Sequence, residues 1–215
     1  MLLMAGLCLV ASACRIEHKV EPIAGATPSL AGSFENKNFN PQSLVESMWD
    51  GKVIPALGSR AADFTLLRNA MRANLDTAGA SNGHRERGEG APWNFATTVK
   101  GKIVSVDTES SAGKIGVDTD GDGQTDVLVQ IGPVLRGTAL RDSLPFMSFT
   151  DYTNQIEFAQ LANALNDHAY AGVLKTLPRD QLIGSNVVLL GAFTTDDASE
   201  IPTIMPVQLK LESKP

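Results

Sequence analysis

The order of strand and helix patterns after Trp93 constrains the fold of this chain more than any other feature. Residues 95–108 (FATTVKGKIVSVDT) alternate in polarity and are rich in β-branched side chains, which favours a strand. Residues 112–132 hold two shorter strand patterns around an aspartate-rich turn, as in a hairpin. After a helical pattern, residues 185–196 and 203–213 again read as strands. The sequence therefore predicts three strands, a helix and two strands.

The helix between the third and fourth strands is predicted from one apolar face at helical spacing. Its apolar positions are Phe158, Leu161, Ala162, Leu165, Ala169 and Val173. This order of elements is that of an OB-fold, a small five-stranded, partly open antiparallel barrel. The predicted class is α+β, with an N-terminal helical segment before an OB-like barrel; an α+β sandwich with the same element order is the alternative. Such barrels host many functions, so the fold names no ligand.

Two helices and a loop are predicted before the strands. Asn40 is a suitable N-cap, and Pro41 occupies the first helical position, where its missing N–H costs nothing. Pro55 is predicted to end the first helix, the second to begin near Ser59, and residues 76–92 to form a loop. The apolar faces are Leu44, Val45, Met48 and Trp49 in the first helix, and Phe64, Leu67, Met71 and Leu75 in the second. Both faces are interpreted as core packing.

The N-terminus predicts export and a lipid anchor. Residues 1–13 (MLLMAGLCLVASA) are apolar and uncharged, as in the apolar region of a secretory signal. Ala11, Ser12 and Ala13 then precede Cys14, an arrangement similar to the lipobox of bacterial lipoproteins, whose cysteine is acylated. Cys14 is the predicted lipidation site, and several acyl chains on one cysteine anchor stably; an ordinary cleaved signal is the alternative. The predicted segments are a signal peptide at 1–13, a flexible tether at 14–35, the helical segment and loop at 36–92, and the OB-like domain at 93–215.

Composition excludes several classes of function. The formal net charge of −6 argues against a nucleic-acid partner, which needs a clustered basic surface. Cys8 would be lost with the signal and Cys14 acylated, so no thiol remains for a disulfide, a metal site or a nucleophile. The sequence holds no HExxH, paired CxxC or GxSxG motif. We therefore predict no enzymatic activity and no catalytic residue.

The turn at residues 118–126 (DTDGDGQTD) is a candidate calcium site. Its spacing follows an EF-hand loop, in which alternate positions supply oxygen ligands around a glycine. The predicted ligands are Asp118, Asp120, Asp122, the backbone carbonyl of Gln124, and Asp126. Position 12 of such a loop would be Val129, which cannot ligate, and the flanking segments are strands. A structural calcium ion is the prediction, and a solvated polar turn is the alternative, since Asp and Gly also favour turns.

A polar stretch at residues 130–159 supplies the other candidate binding residues. These are Arg136, Arg141, Asp142, Asn154 and Gln155. The alternative is structural: Arg136 or Arg141 would pair with Asp142 or cap backbone carbonyls, and so hold this stretch against the barrel.

Three sequence runs resemble one bacterial family. They are WDGKVIPAL (49–57), GPVLRGTALRDSLPF (132–146) and FTDYTNQIEFAQLANALN (149–166). They are similar to predicted periplasmic lipoproteins of unknown function, often encoded beside sugar-type ABC transporters. The resemblance implies a lipid-anchored accessory or binding protein on the periplasmic side of the envelope, with an ABC transporter component or sugar-binding protein as partner. An independent small-ligand or glycan-binding barrel is the alternative, and no residue roles are implied.

Overall fold

The computed structural model of the chain describes residues 39–86 and 90–212, all within one unit, Glu35–Pro215. The signal peptide predicted at 1–13, the tether at 14–35 and the lipidation site Cys14 lie outside the described residues and stay predictions.

The described chain begins with two helices joined by a π-helical turn. Helix α1 is Pro41–Met48, the π-helical turn is Trp49–Val53, and helix α2 is Ile54–Arg60. Asn40 caps α1 by accepting a 3.0 Å backbone hydrogen bond in its first turn, so the predicted N-cap is confirmed. Pro55 lies in the first turn of α2, where a missing N–H is tolerated. The prediction that Pro55 ends the helical run is therefore wrong.

The second half of the helical segment contains two more helices and two short strands. Strand β1 is Ala62–Asp63, helix α3 is Phe64–Ala73, helix α4 is Leu75–Asn82, and strand β2 is Gly83–His84. Each helix has its own side-chain cap, since Asp63 and Asn74 accept backbone hydrogen bonds of 3.1 Å and 2.8 Å.

Two sequence predictions are wrong in this segment. The helix predicted to begin near Ser59 begins at Phe64, after its Asp63 cap. Residues 76–84, predicted as part of a loop, lie in α4 and β2.

The five long strands form a ring of pairings. They are β3 (Trp93–Asp107), β4 (Lys114–Asp118), β5 (Val127–Gln130), β6 (Asn186–Thr195) and β7 (Thr203–Glu212). Strand β3 pairs antiparallel with both β4 and β6, β4 with β5, and β6 with β7, while β5 pairs with β7 in parallel. The β5–β7 pair corrects the prediction of a wholly antiparallel arrangement. The short strands β1 and β2 add to β3.

Glycine permits close backbone approach at two places in this sheet. A Cβ on Gly101, in β3, would lie 2.2 Å from the carbonyl oxygen of Asp118. A Cβ on Gly191, in β6, would lie 2.5 Å from the carbonyl oxygen of Met205. Real Cβ atoms do not approach so closely, so both positions need glycine, as expected where strands bend.

Two further helices follow β5. They are the short helix α5 (Ala139–Asp142) and the long helix α6 (Gln155–Ala169), which precedes β6 in the chain. A 3₁₀ turn, Phe149–Asp151, lies between them, and a π-helical turn, Tyr170–Leu174, continues α6. Among the described residues, no helix combines the length and apolar character that a membrane span requires.

Helices and strands share one hydrophobic core. Phe95 and Phe193, from paired strands, stack with ring centroids 5.3 Å apart, and Phe64 from α3 meets Phe193 edge-on at 6.4 Å. Trp49 is 7% exposed and packs against His168 of α6 at 4.4 Å. The interpretation of Trp49 as a core residue is therefore confirmed.

Candidate functional site

The aspartate-rich turn between β4 and β5 closes around one carboxylate. Asp118 accepts backbone N–H groups from Asp120, Gly121 and Gly123, at 3.1, 2.7 and 2.8 Å. Gly121 and Gly123 have φ angles of 89° and 84°, which glycine adopts without strain. The turn is thus held by its own backbone.

Arg68, from α3, brings a cation to this turn. Its guanidinium pairs with Asp126 and, at 3.0 Å, with Asp120. The side chains of Arg68 and Asp126 are each 10% exposed, whereas that of Asp120 is 40% exposed. Asp126 also accepts the N–H and the hydroxyl of Thr119, both at 2.7 Å. The negative charge of the turn is therefore partly neutralised from inside the fold.

These contacts shift the pKa values of the cluster. The N–H of Gly121 does most to lower the pKa of Asp118 below its ordinary value, against burial. Burial alone would raise the pKa of Asp126, but hydrogen bonds from Thr119 and the Arg68 guanidinium bring it below its ordinary value. For Arg68, a cation, burial alone would lower the pKa. Its hydrogen bonds to Asp120 and Asp126 instead hold the pKa above the ordinary arginine value. All three groups are charged at neutral pH.

The structure brings together three of the five predicted metal ligands. Carboxylate oxygens of Asp118, Asp120 and Asp126 all lie within 4.8 Å of one another. Asp122 is exposed, and its carboxylate accepts the backbone N–H and side-chain amide of Gln124 at 2.7 and 3.0 Å. Carboxylates suit a hard cation such as calcium, but Arg68 already pairs with two of them. The fit is partial, and calcium binding at this turn stays a prediction.

Arg141 and Asp142, two predicted binding residues, bind each other. The Arg141 Nε and one terminal nitrogen lie 2.7 Å from Asp142 Oδ1. The guanidinium also donates to the carbonyl of Phe158 at 2.9 Å and lies 3.7 Å from the centroid of the Phe158 ring. Thr138 donates its hydroxyl to Asp142 at 2.5 Å. These contacts fit the structural alternative in that Arg141 pairs with Asp142 and caps a backbone carbonyl, but they join α5 to α6 rather than to the barrel.

Asn154 and Gln155 begin helix α6. The Asn154 side chain accepts the backbone N–H groups of Ile156 and Glu157 at 2.9 and 3.0 Å, as an N-cap. Gln155 is exposed at the first helical position. Their role as binding residues stays a prediction.

Arg136, the remaining predicted binding residue, lines a cleft of about 660 Å³ that we call the Lys114–Arg136 cleft. The cleft also presents one amide and four hydroxyl side chains, those of Gln130, Ser110, Thr138, Thr194 and Thr203. Its walls come from the last residue of β3 (Asp107), the β3–β4 connection, β4, the end of β5, residues 136–139, and the two strand ends that flank the β6–β7 connection.

The backbone that carries Arg136 is fixed by two side-chain amides. Gln130 accepts the Arg136 N–H at 2.7 Å and donates to the Arg136 carbonyl at 2.9 Å. Asn166 of α6 donates to the carbonyl of Gly137 at 3.0 Å. Gly137 has a φ of 106°, which favours glycine. The exposed Arg136 side chain is thus presented from an ordered segment.

The cleft is lined by two cations, Lys114 and Arg136, and by one carboxylate, that of Asp107, so the sum of these charges is positive. Within residues 39–86 and 90–212, neither Lys114 nor Arg136 has a carboxylate within 4.0 Å. The nearby carboxylate of Asp107 accepts backbone N–H groups of Glu109 and Ser110 at 3.2 and 3.3 Å. The two cations are therefore available to an anionic group from outside.

Sequence reasoning missed three residues of these sites. Arg68 lies 58 positions from Asp126, and nothing in the local sequence indicated their pairing. Lys114 and Gln130 belong to ordinary strand patterns, and only the tertiary fold places them around one cleft with Arg136.

Comparisons with known proteins identify the fold and the family. An OB-fold protein from Thermotoga maritima, known from a crystal structure, is 18% identical in sequence, with a TM-score of 0.64; the match covers 82% of this chain and all of that one. No curated protein matches the chain. The sequence profile of the family described as "Predicted periplasmic lipoprotein (DUF2291)" matches residues 4–210, which confirms the resemblance seen in the sequence. The chain therefore belongs to this family of predicted periplasmic lipoproteins, and its place is the periplasmic side of the cell envelope, held there by lipid.

Proposed function

We propose that this chain is a lipid-anchored periplasmic binding protein that takes an acidic saccharide in the Lys114–Arg136 cleft. The observation that carries the proposal is an ordered, hydroxyl-lined cleft in which neither cation has a carboxylate of the described residues within 4.0 Å, and in which the two cations outnumber the one carboxylate, Asp107. The proposal assigns the chain no catalytic residue.

The position of the cleft agrees with ligand binding by OB-folds. In such folds the second and third strands, with the loops after the first and fourth strands, bind oligonucleotides and oligosaccharides. The proposal treats the ring of pairings as the predicted OB-like barrel, with β3 as its first strand and α6 between its third and fourth. The cleft then lies on that face, because it is lined by the β3–β4 connection, β4 and the end of β5.

The charge of the protein favours an oligosaccharide over an oligonucleotide as the ligand. A net charge of −6 disfavours an oligonucleotide, whose many phosphates need an extended basic surface. A saccharide needs hydroxyl and amide partners, which the cleft supplies, and a single carboxylate or phosphate on it would pair with Lys114 or Arg136. The volume of about 660 Å³ lies within the usual range for small-molecule sites.

A thermal-shift panel tests the proposal. Uronic-acid oligosaccharides and sugar phosphates are compared with their neutral parent sugars on the purified full-length protein. We expect acidic members to raise the melting temperature, because only they carry an anionic group that can pair with Lys114 or Arg136, and neutral parents to have little effect. The double variant Lys114→Gln/Arg136→Gln should abolish the shift.

The matched control is Lys52→Gln/Lys175→Gln, which removes two exposed cations elsewhere. The control should behave like the wild type. Absence of a shift with every acidic member, or a shift of equal size in the cleft variant, would contradict the proposal.

Association with a sugar-type ABC transporter, predicted from the family resemblance, is a further part of this proposal. An acidic-saccharide cleft on an anchored protein would suit delivery of substrate to such a system. Cross-linking in the native envelope should capture a transporter component or its sugar-binding protein, and capture should weaken in Lys114→Gln/Arg136→Gln. Recovery of the chain without either component under efficient cross-linking would argue against this association.

A further inference from the structure

Three large apolar side chains are exposed within eleven residues of the segment that leads from α5 into α6. Phe146, Phe149 and Ile156 are 42%, 39% and 43% exposed. We call residues 146–156 the apolar face. Apolar groups exposed close together mark interaction sites, whereas scattered ones need no explanation.

The backbone of the apolar face is fixed. Glu86 accepts the hydroxyl of Ser148 and, at 3.0 Å, the N–H of Phe149. Ser148 in turn caps the 3₁₀ turn Phe149–Asp151 by accepting the N–H of Thr150 at 3.3 Å. The exposure of Phe149 therefore comes from a held conformation, with one edge of its ring against Phe158 at 5.6 Å.

The chain enters the described body beside this face. Phe39, the first described residue, meets the ring of Tyr152 edge-on at 6.0 Å. Tyr152 lies within the apolar face and packs on Phe158 at 5.4 Å. A lipid attached at Cys14 would therefore be connected to the described body through Phe39, beside Tyr152.

We propose that the apolar face rests on the lipid surface to which the protein is anchored. This placement of the apolar face requires that Cys14 is acylated. It does not depend on which ligand the Lys114–Arg136 cleft binds. Anchoring keeps the bilayer at high effective concentration, so a shallow apolar contact is enough to engage it. Aromatic and aliphatic side chains that enter the interface bind through buried apolar area.

The charge of this region indicates the kind of lipid. Residues 143–159 contain no lysine or arginine, and Asp151 is exposed within the face. Attraction to anionic headgroups is therefore not available to it. The contact should form on zwitterionic lipid and should be insensitive to salt.

Site-directed fluorescence tests this orientation. The full-length acylated protein is reconstituted in zwitterionic vesicles, with a polarity-sensitive dye on Phe149→Cys or Ile156→Cys in separate variants. Acylation leaves Cys14 without a free thiol. We expect blue-shifted emission and at least twofold quenching by lipids brominated on their acyl chains, unchanged between low and high salt.

The control positions are Leu66→Cys and Ile183→Cys, in other elements, where the native side chains are 71% and 52% exposed. These should show no more than slight quenching. Equal quenching at all four positions, or none at 149 and 156, would overturn the proposal. Recovery of the protein without lipid on Cys14 would also overturn it, because the apolar face would then lack its anchor.

A triple variant separates lipid from protein as the occupant. Phe146→Ser/Phe149→Ser/Ile156→Ser should increase amide hydrogen exchange in residues 146–156 of the vesicle-bound protein to the level seen in detergent. If the wild type sediments as a dimer that this variant abolishes, and no quenching is seen at 149, the occupant is a second copy and the proposal is wrong.

Discussion

The aspartate-rich turn and the Lys114–Arg136 cleft are both charged, but their charges are balanced differently. In the turn, Arg68 reaches across from α3 and pairs with two carboxylates. In the cleft, no carboxylate of the described residues lies within 4.0 Å of either cation, although Asp107 also lines the cleft. A charge neutralised within the fold serves stability, whereas a fixed, unpaired charge in a cavity is available to a ligand. The region with the more conspicuous sequence motif is thus the weaker candidate for function.

The largest effect should come from breaking the Arg68 contacts. Arg68→Met leaves the largely buried carboxylate of Asp126, 10% exposed, without its cation, and breaking a fully buried pair costs several kcal/mol. Because Asp120 is 40% exposed, we expect a loss of about 2–4 kcal/mol in the free energy of unfolding, measured by urea denaturation.

Arg72→Met, four residues further along the same helix, removes an exposed arginine and is the matched control. It should change stability by less than about 0.5 kcal/mol. Similar losses in the two variants would show that Arg68 does not neutralise the turn.

Acid should weaken the turn before it affects the cleft. The folded-state pKa values of Asp118 and Asp126 lie below their ordinary values, so the unfolded chain takes up protons first as the pH falls. The stability from these groups is complete above the ordinary aspartate pKa of about 3.9 and is lost as the pH falls below it. Urea denaturation between pH 6 and pH 2 measures this dependence. Asp126→Asn should make the free energy of unfolding less dependent on pH, whereas Asp50→Asn, at an exposed position, should not. An unchanged pH dependence in Asp126→Asn would contradict the lowered pKa of Asp126.

Calcium should stabilise the aspartate-rich turn more strongly when the Arg68 guanidinium is removed. If Arg68 competes with a cation for Asp120 and Asp126, Arg68→Gln should be stabilised by calcium more than the wild type. A concentration tenfold above the dissociation constant adds about 1.4 kcal/mol to stability. Melting curves with calcium and then with chelator measure the difference, and Arg72→Gln serves as the control. A larger calcium effect in the wild type than in Arg68→Gln would mean that the guanidinium supports metal binding instead.

The smallest effect should come from neutralising the cleft. Lys114→Gln/Arg136→Gln removes charges that have no carboxylate of the described residues within 4.0 Å, so the free energy of unfolding should change by less than about 0.5 kcal/mol. A loss comparable to that of Arg68→Met would show that these cations stabilise the fold, and would remove the contrast between the two regions.

The local sequence predicted the fold better than the sites. Alternating strand patterns predicted the element order, and Asn40 with Pro41 predicted the start of α1. The parallel pairing of β5 with β7 could not be predicted, because these strands are distant in sequence and are brought together only by the tertiary fold. Helix α4 was missed because its glycine content resembles a loop, yet a Cβ on Gly79 would lie 2.2 Å from the Trp93 ring. That glycine reflects close packing rather than a turn.

For the sites, the sequence revealed charges but not their partners. The spacing of the aspartates was visible, whereas Arg68 joins them only through the tertiary fold. Arg136 was identified as a candidate, but its fixed backbone depends on Gln130 and Asn166. Hydrogen bonds between distant residues leave no periodic pattern in a single sequence.

Calorimetric titration of an acidic saccharide that stabilises the wild type tests the central claim most directly. Arg136→Gln should weaken its affinity at least tenfold, about 1.4 kcal/mol, while Arg72→Gln, which removes an exposed guanidinium beside the turn, should leave it within twofold. Equal affinity in wild type and Arg136→Gln, or a greater loss in Arg72→Gln, would contradict the assignment of ligand binding to the cleft.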